Sequence, residues 1–221
     1  MGRAGTPSWR LLERKSPTLF LIAGVFLVVY ATFNGLWAFT NMVPEQHGLE
    51  IGYVLGFLGL IGLYPSLSDR SPWLARAGSI AAICGIISLS FISASDWAQL
   101  TGITAGDLPG FGFLRVFPLV GFILGYLSFG IASLRSDTRS RLVGLVLLVP
   151  GIIVVLMLAH IAAGYASDLT AFVISAGEAM AHLAIGAALR TESSGETREP
   201  SATGVDREHP RGKDDELTTD D

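Results

Sequence analysis

Six stretches of this chain, at 18–40, 51–67, 74–95, 116–134, 142–163 and 169–189, are apolar over 17 to 23 consecutive residues. A bilayer core about 30 Å thick takes roughly 20 residues of helix to cross. Within lipid every backbone N–H and C=O must find its partner inside the protein, which leaves helices and closed barrels. None of the six stretches alternates polar and apolar residues at period two, so strands are not expected. The predicted fold is all-α, a polytopic integral membrane protein with six transmembrane helices. The segment at 51–67 is the shortest and carries Gly52, Gly56, Gly59 and Gly62.

The connecting loops test that count independently. Arg3, Arg10, Arg14 and Lys15 precede the first segment, Arg70 and Arg76 flank the second turn, and Arg135, Arg139 and Arg141 flank the fourth. Arg190 follows the last segment. The loops on the other side, at 41–50, 96–115 and 164–168, hold Arg115 alone. Lys and Arg accumulate on the cytoplasmic side of a membrane, so six helices with both termini cytoplasmic account for fourteen of the fifteen basic residues. Five or seven helices would break the alternation. The expected location is the plasma membrane, with lipid as the surrounding partner and no nucleic acid. The first segment exceeds a signal-peptide core in length and no small-residue cleavage site follows it, so it reads as a retained helix.

Charge divides the chain into three parts. Residues 1–17 form a basic cytoplasmic segment, 18–190 the helical bundle, and 191–221 a tail with ten acids and four bases. The tail has almost no large apolar side chains and is expected to be disordered and solvated. The single cysteine, Cys84, lies in an apolar run, which excludes an intrachain disulfide and a cysteine cluster.

An internal echo links two segments. The heptapeptide GYVLGFL at 52–58 aligns with GFILGYL at 121–127, and in the same register an Arg-Ser pair recurs at 70–71 and 139–140. A duplicated helical hairpin and a chance match both explain it. Each copy holds a GxxxG, Gly52 with Gly56 and Gly121 with Gly125. Small residues four apart let membrane helices approach closely. The neighbour is either another helix of this chain, or a second copy or membrane partner.

Glu178 and His182 stand one turn apart on one face of the last segment. Glu178 lies about 14 Å beyond the outer start of that helix, near mid-membrane, and His160 falls near the outer surface. Helices five and six are joined by a short turn, which puts Glu178 level with Ile153 and His182 level with Val149 and Pro150. Pro150 leaves the carbonyl of Val146 without its helical donor. The expectation is a polar patch of Glu178, His182 and Pro150 between the last two helices.

An ionised acid at the centre of a membrane helix costs on the order of 3 kcal/mol on insertion scales, which makes function the default reading for Glu178. His160 and His182 differ too much in depth to share a haem, and a metal held by Glu178 and His182 needs at least one more ligand. No cofactor or metal is expected. No nucleophile elbow, HExxH or phosphate loop is present. The functional classes left are a small ion- or proton-linked transport or permeation protein using Glu178 and His182, and an accessory membrane protein in which they only bond helices five and six. A redox subunit or intramembrane enzyme ranks below both.

Overall fold

The computed structural model describes residues 7–40, 51–100, 116–136 and 140–196. The described residues are helical and contain no strand: α1 Pro7–Thr40, α2 Ile51–Gly62, α3 Tyr64–Ser68, α4 Pro72–Leu100, α5 Val116–Leu134, α6 Arg141–Ala162 and α7 Asp168–Glu196. Five of them, α1, α4, α5, α6 and α7, are long and apolar enough to cross a membrane. The segment expected at 51–67 is not one helix. Pro65 sits in the first turn of α3, and its ring excludes a helical carbonyl four residues back, so the chain turns at Leu63 and restarts.

The termini also depart from the expected boundaries. α1 begins at Pro7 and runs through Pro17, so residues 7–17 of the basic segment are already helical. α4 extends to Leu100 and α7 to Glu196, beyond the apolar stretches that suggested them. The tail from 197, and the loop residues Glu45, His47, Glu50, Asp107 and Arg115, lie outside the described residues.

The bundle presents its apolar side chains outward. On α6, Leu142, Leu145, Val149, Ile152 and Leu156 recur at helical spacing and are all exposed. On α4, Ile80, Ile83 and Ile87 do the same. Glu178 and His182, by contrast, are 1% and 0% exposed. Large contiguous apolar surface around a few buried polar side chains is what a lipid-facing protein requires and what water would penalise.

Glycines set the helix register. Gly24 lies against Leu183 and Gly186 against Leu21, while Gly35 meets Phe172. As one number rises the other falls in step, so α1 and α7 are antiparallel. The same pattern runs through Gly52 against Leu27 and Gly59 against Phe20 for α1 and α2. Gly130 against Leu148 and Gly144 against Leu134 fix α5 and α6, and Gly177 against Ile153 fixes α6 and α7 at the depth expected. α6 ends on Gly164, whose φ of 82° is a left-handed conformation costly for other residues.

At Gly186 a side chain fits only if the neighbouring helix moves. A Cβ at Gly186 would sit 2.6 Å from Leu21 Cγ and 2.9 Å from the Leu21 backbone nitrogen. Gly186→Val is therefore expected to lower stability by about 1–3 kcal/mol through overpacking. Gly164→Ala, with nothing within 4 Å, should cost about 1 kcal/mol through its backbone alone. Unfolding in detergent, read by helical circular dichroism, checks both.

Candidate functional site

His182 is fully buried within the core, and both of its ring nitrogens are used. Nδ1 lies 2.7 Å from the backbone oxygen of Glu178, one turn back on the same helix. A carbonyl oxygen only accepts, so Nδ1 carries the hydrogen. In the neutral ring Nε2 is then the acceptor, and the Tyr126 hydroxyl, 2.6 Å away on α5, donates to it.

The ring is fixed by what surrounds it. Tyr126 is edge-on to it at 5.5 Å between centroids, with Phe20 of α1 at 6.2 Å and Tyr53 of α2 at 6.5 Å. Gly56 of α2 lies directly over the hydrogen bond. A Cβ there would fall 2.6 Å from Nε2 and 2.8 Å from the Tyr126 oxygen. Helices α2, α5 and α7 thus converge on one bond, and only glycine permits it.

Tyr126 owes its position to the backbone of α5. Residues Gly121–Tyr126 form a π-helical turn, wider than an α turn. Phe122 and Tyr126, four apart, stack with their planes 7° from parallel and 5.6 Å between centroids. Gly121 makes the turn possible against α4, where a Cβ would approach the Ala81 carbonyl at 3.1 Å and the Gly85 Cα at 3.2 Å.

Glu178 points into the same interior but joins none of these bonds. Neither carboxyl oxygen has a hydrogen-bond partner among the described residues. Oε2 lies 3.7 Å from His182 Nδ1, whose hydrogen is already given to the Glu178 carbonyl. One turn toward the start of α7, the Asn34 amide of α1 donates to Ser175 Oγ at 3.2 Å. Ser175, Glu178 and His182 make a continuous polar stripe on the buried face of α7.

The patch expected from sequence is accordingly rearranged. Glu178 and His182 are brought together, but Pro150 is not joined to them by a hydrogen bond from His182, because both imidazole nitrogens are engaged elsewhere. Pro150 is buried in α6, and His182 looks instead toward α2 and α5. His160 lies apart at the exposed end of α6, 3.2 Å from Thr170 Oγ1. Gly52, Gly56, Gly121 and Gly125 are all buried against helices of the same chain. Among the described residues no three of His, Cys, Asp and Glu converge as metal ligands.

Tyr126, Tyr53 and Asn34 were not singled out as partners of the acid–histidine pair. A signal did exist: a tyrosine within an apolar helix needs a partner for its hydroxyl, and the echoed heptapeptides each carry one, at Tyr53 and Tyr126. In the fold they lie side by side in parallel, Tyr53 5.1 Å from Phe122 and Phe57 6.0 Å from Tyr126.

Tyr126→Phe should cost about 1–3 kcal/mol by leaving Nε2 without its donor. Gly56→Ala should cost a similar amount, and the double variant clearly less than the two added, because both changes undo one bond. Unfolding in detergent across this cycle is the measurement, and strict additivity would contradict the geometry. Compared with protein-family models, curated proteins and solved structures, the chain matches none of them.

Proposed function

We propose that this chain is a six-pass plasma-membrane protein with cytoplasmic termini that moves a proton or a proton-linked solute, with Glu178 as the group that takes up and releases the proton. The observation that carries this reading is the Glu178 carboxyl, 1% exposed and with no hydrogen-bond partner for either oxygen among the described residues. A buried polar group without a partner is retained against its cost, and inside a membrane that points to a proton or ion pathway. His182 and Tyr126 continue the polar stripe inward from Glu178, and Ser175 with Asn34 continues it outward.

Six passes follow if α2 and α3 together make the second crossing. Together they comprise about 26 Å of helix, and α2 runs antiparallel to α1, with Gly52 at the level of Leu27 and Gly62 at that of Leu12. The basic turns then lie on one side. In a Cys84→Ala background, cysteines placed at Ser71 and Ser140 should react with a membrane-impermeant maleimide from one side, and a cysteine at Gly164 from the other. Labelling of the Ser71 position together with that at Gly164 would remove the second crossing.

An accessory role is the second reading, favoured by the completeness of the His182 hydrogen bonds, which lock α2, α5 and α7 together. Glu178→Gln separates the two. In proteoliposomes carrying an internal pH dye, the transport reading predicts proton flux in the natural protein and its loss in the variant, with the melting temperature retained. Vesicles that stay silent with the natural protein, while the variant only melts earlier, would leave the accessory role standing.

A further inference from the structure

The end of the bundle that carries the basic residues has an open recess. A cavity of about 940 Å³ opens where the start of α1, the α2–α3 turn, the start of α6 and the end of α7 meet. Arg10 and Arg14, one turn apart on α1, and Arg190 of α7 line it. Its apolar wall is Pro17, Leu63 and Leu189, and Thr18, Ser66 and Thr191 add hydroxyls.

Two carboxylates share the lining, Glu13 and Glu192. Glu192 Oε1 accepts the backbone N–H of Ser140, the residue that caps the start of α6. Among the described residues none of the three arginines forms an ion pair. Three guanidinium groups around one cavity offer planar, forked donors, which suit phosphate oxygens better than any point charge would.

Aromatic side chains independently set the level of this cavity. Trp9 packs on Tyr64 at 6.1 Å, and Trp73 is capped by the Arg76 guanidinium at 5.9 Å, both at the same end of the bundle. Tryptophan and tyrosine collect at the headgroup level of a bilayer. Beside it, Leu11 and Ile22 of α1 stay exposed, as surface for acyl chains. The wall is held in place by Gly62, which packs directly on Ser16 and the Leu12 carbonyl.

We infer that the cavity lined by Arg10, Arg14 and Arg190 is a binding site for a phosphoryl anion, supplied by the headgroup of an anionic lipid. Basic recesses between membrane helices recognise such headgroups through charge and hydrogen bonds together. This site is separate from Glu178 and does not rest on the transport reading.

The test uses the purified full chain in detergent, its melting temperature followed as short-chain phosphatidylglycerol, short-chain phosphatidylcholine or inorganic phosphate is added. Phosphatidylglycerol is expected to raise the melting temperature saturably, and phosphatidylcholine is not. Arg14→Gln with Arg190→Gln should raise the half-saturating phosphatidylglycerol concentration about tenfold or more. Added salt should weaken the natural protein's response, which gives a reading even if that variant fails to fold. A shift with inorganic phosphate alone supports the anion site and identifies its source as soluble. Equal shifts with both lipids, no shift with any probe, or a phosphatidylglycerol response indifferent to salt overturns the proposal.

Discussion

The hydrogen of His182 Nδ1 goes to the carbonyl of Glu178, and the rest of the interior is arranged around that assignment. In a bilayer core a lost hydrogen-bond partner is not replaced by lipid, so a polar group left without one carries a cost. With Nδ1 as donor, Nε2 needs a hydrogen, and Tyr126 supplies it. Space for that hydroxyl exists because residue 56 is glycine. One tautomer thereby fixes the mutual placement of α2, α5 and α7. Glu178 is left out of the network because its own backbone takes the hydrogen its side chain would otherwise receive.

Stability has a different source here than in a water-soluble core. The apolar residues on the outside gain nothing by helix association, since lipid is as apolar as they are. What holds the helices is close approach, and the glycine contacts supply it repeatedly. Gly24 and Gly186 seat leucines from opposite helices into each other, and Gly130 with Gly144 does the same between α5 and α6. Each pair brings backbones near enough for extensive van der Waals contact.

The helical character of the apolar segments and the depth relation between α6 and α7 were legible in the sequence. Length and hydropathy report those directly, and Gly177 meets Ile153 where a short turn between antiparallel helices requires. The break at Leu63 was less legible, although Pro65 marks it, because hydropathy does not register backbone donors. The partner of His182 was harder still. Depth along a helix follows from counting, but rotation about its axis follows from packing against several neighbours at once. Depth alone puts His182 level with Val149 and Pro150 and groups it with Glu178 in one patch there. The actual neighbours, Tyr126 and Gly56, come from helices distant in the chain, and one of them is placed by a π-helical turn with no plain signal in residue types.

That turn has a mechanical side. A π turn is an α-helix holding one residue more than its pitch accommodates. Were the surplus residue passed to either end of α5, the helix on one side would rotate by about 100° relative to the other. Tyr126 stands at the last position of the turn, so its hydroxyl would swing off the imidazole while the backbone kept nearly all its hydrogen bonds. The histidine–tyrosine contact is thus tied to the phase of a helix, a quantity that changes in whole residues and not by small degrees.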